Sequence, residues 1–280
     1  VLIDSTSFLS EELKKELDIR TVYLNIVINN HSYKEIIDMT ADKYYEYLRD
    51  TNNSFPTTSQ PAIGEVVACL EKLKEEGYTD VIAIALSSGI SGACSSYTVA
   101  GLMVDGINVH PFDSEVSCKP EGWYAIKAAN LIKEGKNSNQ IISALNEMKK
   151  VSKAYFMADD LSHLQRGGRL SGAQALVGSL LQVKPLLHFE DKIIVPFQKI
   201  RTYKKVVLRM YELFDEFYQE HKGENIHVCV LHVDAIEKAH EIKEYLEDKY
   251  PDIAIEIDAI SPVISTHLGL GAIGFGWTIL

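Results

Sequence analysis

The sequence predicts an α/β fold: two α/β domains with largely parallel sheets. Short apolar runs rich in strand-forming residues alternate with segments of 3.6-residue period from the first residues onward, the pattern of strands joined through crossover helices. A chain of 280 residues with 46% hydrophobic and 24% charged residues can bury one large or two modest cores. Small hydroxyl and acidic residues recur where the strands end, which is where open α/β sheets collect ligands.

Taken in order, Val1 to Ile3 is a short strand and Ser10 to Leu17 a helix. Thr21 to Ile28 reads as a second strand, followed by a helix from Thr40 to Arg49. Pro61 suits a first helical turn, Val66, Cys69, Leu70 and Leu73 form an apolar stripe, and Gly77 stops that helix. VIAIAL, Val81 to Leu86, is a buried strand; SSGISG follows, and the chain continues as a helix from Ser91 to about Val104. Asn108 to Phe112 is a strand that delivers Asp113 and Ser114 at its end. Helices over Glu121 to Lys133 and Ser138 to Lys149 complete a first domain, residues 1–153.

The second domain, residues 154–280, opens with a strand at Tyr155 to Ala158 and a polar helix-like run ending at QRGGRLSG. GAQALVGSLLQV reads as a helix, and Leu186 to Phe197 as a hairpin turning around Glu190 and Asp191. A helix from Thr202 to Glu220, a strand from Ile226 to His232, a helix from Ala235 to Lys249 and a strand from Ile253 to Ile257 continue the alternation.

The net charge of −11 disfavours sequence-independent binding to nucleic acid or to an anionic membrane, both of which need clustered Lys and Arg. No apolar run reaches the roughly 18 to 20 residues that span a bilayer and no signal-peptide pattern precedes the first strand, so the expected location is cytoplasmic. Cys69, Cys94, Cys118 and Cys229 stand singly, without zinc or disulfide spacing. His227, Cys229 and His232 share one strand, but its period of two turns His232 away from the other pair, so no metal is expected.

Gly269, Gly271 and Gly274 spell G-x-G-x-x-G. A dinucleotide fingerprint needs a following helix and an acidic residue about 20 positions on; only six residues follow Gly274, so a compact terminal loop beside His267 is expected instead. The glycine-rich SSGISG loop between a buried strand and a helix suits an anion, because its N–H groups and the helix end attract negative charge. It carries no Lys, which argues against a triphosphate and for a single carboxylate or phosphate. Ser91, Asp113 and His267 also occur in the chain order of a serine hydrolase or esterase, although Ala93 replaces the second glycine of a nucleophile elbow.

VLIDSTS, TTSQPAIGE, LSSGISG, the Asp113-Ser114 pair, LQRGGRLSG, LQVKPLL and HLGLGAIG, in that order, resemble the DegV family, the fatty-acid-binding subunits of bacterial fatty acid kinase. The resemblance runs essentially end to end. It implies a noncatalytic carrier without cofactor, holding a long-chain fatty acid such as palmitate near the domain junction. Its carboxylate ligands fall on Thr58 and Ser91, with His267 completing the network and Ser59, Gly92, Asp113 and Ser114 in support. An acceptor-only carboxylate suits hydroxyl, loop N–H and imidazole N–H donors. The implied partner is a dihydroxyacetone-kinase-like fatty acid kinase subunit, with Arg166, Arg169 and Arg201 as a candidate docking surface. Ala93 stands where relatives commonly have Thr, and Leu270 where Pro is usual.

Overall fold

The computed structural model describes residues 1–170 and 184–280. The helix expected over GAQALVGSLLQV lies outside the described residues. The first part of the chain runs β1 (Leu2–Asp4), a 3-10 turn (Ser5–Ser7), α1 (Glu11–Glu16), β2 (Arg20–Val22), β3 (Asn25–Ile28), β4 (His31–Lys34), α2 (Ala41–Arg49), β5 (Thr57–Ser59), α3 (Ile63–Glu75), β6 (Asp80–Ala85), α4 (Ala93–Met103), β7 (Asn108–Asp113), α5 (Lys119–Lys133) and α6 (Ser138–Val151). The remainder runs β8 (Lys153–Met157), α7 (Ser162–Arg166), β9 (Leu186–Glu190), β10 (Ile193–Gln198), α8 (Tyr203–Glu220), β11 (Ile226–His232), α9 (Ile236–Lys249), β12 (Ile255–Ala259), α10 (Pro262–Leu268) and β13 (Ile273–Ile279).

Strands β2, β1, β6 and β7 form the expected parallel sheet. Its centre is VIAIAL, apolar throughout because helices cover both faces. The second large sheet, in the order β10-β9-β8-β13-β11-β12, is mixed: only β11 and β12 are parallel neighbours. The single strand expected over Thr21 to Ile28 is two. After Val22 the chain leaves the parallel sheet, and β3 joins β4 and β5 in a small antiparallel sheet. Thr57 to Ser59 is an edge strand, and α3 starts at Ile63, so Pro61, expected in its first turn, lies just ahead of it.

The terminal glycines depart most from expectation. Gly269 and Gly271 make a tight turn, both at positive φ, which glycine adopts without a Cβ penalty. Residues Ile273–Ile279 then form a central strand between β8 and β11, not a loop. Ile273, Phe275 and Trp277 pack toward α8 and α9 in one apolar core, whereas Gly274 and Gly276 fall on the opposite face. That opposite face meets α5 and the larger core that continues into the parallel sheet.

The β9–β10 hairpin turns at Asp191 and Lys192, whose positive φ values of 46° and 72° are those of the two-residue turn that matches strand twist. Its tip reaches the parallel sheet: Ser87 Oγ donates to the Lys192 carbonyl at 2.6 Å, and Lys192 Nζ lies 3.1 Å from Asp113. The hairpin thus walls the space between the two large sheets.

Candidate functional site

Between the sheets lies a narrow cavity with a mostly apolar lining, the kind of lining that small-molecule sites have. Leu24, Leu86, Phe156, Phe189, Leu231 and Ile264 are among its walls. Across the second sheet, Gly276 pairs with Ala154 on one side and Cys229 on the other. This row of small residues leaves the sheet nearly bare. A glycine inside a strand weakens it and commonly marks a close approach by another group. Pro120 fills that role on one side, since a Cβ at Gly276 would stand 2.8 Å from Pro120 Cγ.

The polar residues concentrate at one end. β5 brings Thr58 and Ser59, the loop after β6 brings Ser91, and α10 brings His267 into the same lining. Thr58 Oγ1 and His267 Nε2 are 2.8 Å apart. Ser91 sits just before α4, where its Oγ accepts from the Ala93 N–H at 3.2 Å. Gly92 lies flat against the Gln60 amide, and a side chain there would collide with it; Gln60 Nε2 in turn donates to Ser96 Oγ.

His267 is neutral. Burial, reinforced by the neighbouring charge of Arg169 and by His163, pushes its pKa down to about 3. Its Nδ1 is buried without a hydrogen-bond partner among the described residues, and Gly167 is packed against that edge. An unmet acceptor is tolerated better than an unmet N–H, which assigns the proton to Nε2, facing Thr58. With Nε2–H donating to Thr58, the threonine hydroxyl proton is available to a third group.

Arg169, expected on a docking surface with Arg166 and Arg201, lines the same cavity. Its Nε donates to the Ile90 carbonyl at 3.0 Å and its Nη1 to the Gly167 carbonyl at 2.7 Å. Among the described residues no carboxylate forms an ion pair with it. Burial lowers its pKa, yet a guanidinium stays charged at neutral pH. The hydroxyls of Thr58, Ser59 and Ser91, an imidazole and a cation therefore border one end of a mostly apolar space.

Other expected site residues lie elsewhere. Asp113 does not line the cavity: its carboxylate accepts from Ser88 N, Ser88 Oγ and Glu115 N and pairs with Lys192. Ser114 is buried, with its hydroxyl donating to the Val116 carbonyl. Both brace the Ser87–Gly92 loop from behind. Among the described residues no acid orients His267 Nδ1, so Ser91, Asp113 and His267 do not form a hydrolase triad there. Arg166 is exposed over the Phe55 ring, and Arg201 is exposed at the start of α8. Leu270 sits in the glycine turn and packs against the larger core. Among the described residues no cluster of three metal-ligating side chains occurs, and no helix is long and apolar enough to cross a membrane. His227 packs edge-on to Trp123, and His232 Nδ1 accepts from Ala235 N.

Known proteins are similar to this chain in sequence and in fold. A family model described as an uncharacterised protein of the DegV family matches residues 1–279. Protein DegV of Bacillus subtilis is 50% identical over 278 residues, 99% of this chain and 98% of that protein. A crystal structure of DegV from the same organism, described as a fatty acid binding protein, superposes with a TM-score of 0.93 at 48% identity, covering 100% of this chain and 98% of that one. A fatty acid binding DegV family protein from Streptococcus agalactiae gives 0.91 at 30% identity, with the same coverage.

Proposed function

The chain belongs to the DegV family, and on that premise we propose that it binds one long-chain fatty acid, with the carboxylate at the polar end of the cavity and the acyl chain along the bare row of the second sheet. The observation that carries this reading is the Thr58–His267 contact in the lining of a mostly apolar space. The carboxylate would accept from the Thr58 and Ser91 hydroxyls, with Ser59 and the loop N–H groups near Gly92 beside them and the Arg169 guanidinium as counter-charge. The relatives whose structures superpose are described as fatty acid binding proteins.

The energetics separate into two parts. Transfer of an acyl chain from water is worth about 0.8 kcal/mol per methylene before ordering costs. Charge-assisted hydrogen bonds add about 1.5 to 3 kcal/mol each and fix which end enters first. The protein itself does no chemistry in this reading. It presents the carboxylate to a fatty acid kinase subunit, for which exposed Arg166 and Arg201 are the docking candidates.

Native mass spectrometry of protein purified without delipidation tests the reading. It should show the added mass of one fatty acid, and a fluorescent fatty acid should be displaced by unlabelled palmitate. Protein that carries and binds no lipid would overturn it.

A further inference from the structure

The Asp4-Ser5-Thr6 turn after β1 is fully buried and lies outside the cavity lining, yet it holds the walls of that cavity in place. Asp4 Oδ2 accepts the Leu86 N–H at 2.8 Å, at the root of the loop that carries Ser91. Ser5 Oγ accepts the Leu24 N–H at 2.9 Å and donates to Glu35 Oε1. Glu35 Oε2 then accepts the Val263 N–H at 3.0 Å, and four residues beyond Val263 stands His267.

Helix α10 depends on this contact. Pro262 supplies no N–H, so Val263 carries the first unmet donor of the helix, and the preceding Ser261 makes no side-chain cap bond. A residue 228 positions away does the capping instead. From α2, Tyr44 meets Thr266 Oγ1 within the helix and Tyr45 donates to the Ile260 carbonyl just before it at 2.6 Å.

Holding Glu35 there is costly. It is completely buried, and burial raises its pKa to about 7. The titratable groups around it are Asp4, Glu121 from α5 and Cys118 at the cap of α5, with no cation among them. The next residue, Ile36, is held at φ 70°, a backbone region that a β-branched residue rarely adopts.

We propose that Glu35 is a positioning residue for the headgroup site: through Val263 it sets where α10 presents the His267 imidazole, and through Ser5 it couples that setting to the Leu24 backbone. The inference rests on the reading that the cavity takes a fatty acid. Glu35 touches no ligand, so its loss should weaken recognition of the carboxylate and spare the grip on the chain.

The test compares palmitic acid with hexadecan-1-ol as competitors of a fluorescent fatty acid, in wild type, Glu35→Ala and Glu35→Gln. The amide of Gln keeps an acceptor for Val263 and offers an N–H to Ser5. The preference for acid over alcohol should fall about tenfold in Glu35→Ala and return to within about twofold of wild type in Glu35→Gln, with alcohol affinity unchanged in both. An undiminished preference in Glu35→Ala, or equal losses for acid and alcohol, overturns the inference. If Glu35→Ala does not fold by circular dichroism, Ser5→Ala takes its place: a reduced preference supports the inference and an unchanged one overturns it. Wild type that binds neither competitor removes the fatty-acid reading itself, and the inference with it.

Discussion

Thr58 and His267 are 209 residues apart in sequence and 2.8 Å apart in space. The first comes from an edge strand of a three-stranded sheet, the second from a seven-residue helix after β12. The candidate headgroup site thus exists only when the beginning and the end of the chain are joined.

Thr58→Val and His267→Ala should each weaken palmitate binding about ten- to a hundredfold, the value of one charge-assisted hydrogen bond. Hexadecan-1-ol should lose far less. Calorimetric titration of both ligands against both variants measures the difference, and equal losses would place the carboxylate elsewhere.

Acid should destabilise the fold through His267. Its pKa falls from 6.5 in the unfolded chain to about 3 in the fold, so between those values the unfolded state binds the extra proton. Stability therefore drops as pH falls through that window, by about 1.4 kcal/mol per unit. His267→Gln lacks this term. Urea unfolding at stepped pH should show wild type losing stability relative to the variant between about pH 6 and pH 4, and parallel curves would refute the burial argument.

The hairpin tip should control ligand exchange. A Cβ at Gly89 would collide with the Lys192 carbonyl, so Gly89→Ala must lift the β9–β10 turn from the Ser87 loop. The expected result is several-fold faster release of a fluorescent fatty acid in stopped flow. Lys192→Ala removes only a half-exposed ion pair, of the kind worth about 1 kcal/mol or less, and should change release little.

Gly276→Val should shift chain-length preference. The new side chain must displace Pro120 or enter the space above Ala154 and Cys229. Binding of 18-carbon acids should weaken more than that of 12-carbon acids in a competition series. A uniform loss across lengths would mean that the acyl chain does not lie on this row.

Much of the scaffold was legible because its signals are local. VIAIAL could only be a buried strand, and Glu190-Asp191 between apolar runs marked a hairpin whose turn falls one residue later. The hydroxyl clusters after the strands pointed to a site, but not to which cluster faces it. Asp113 and Ser114 look inward to the loop, whereas Thr58 and Ser91 border the cavity. Helix α10 was missed because it is short and buried on every side, leaving no polar stripe to give a period. β13 was missed because its alternation is of glycine with large apolar residues, not of polar with apolar. Arg169 was assigned to a docking surface instead of the cavity lining because a flanking Gly-Gly pair reads as an exposed turn whether or not a cavity lies beneath it.

The central place of β13 bears on how the molecule is made. β8 and β11 are both synthesised before the strand that joins them, so on the ribosome each waits with an unpaired edge, exposed to wrong partners. α10 and His267 emerge just ahead of that strand. Closing the sheet and completing the headgroup site are therefore nearly one event, and a nascent chain stalled before Ile273 would have neither.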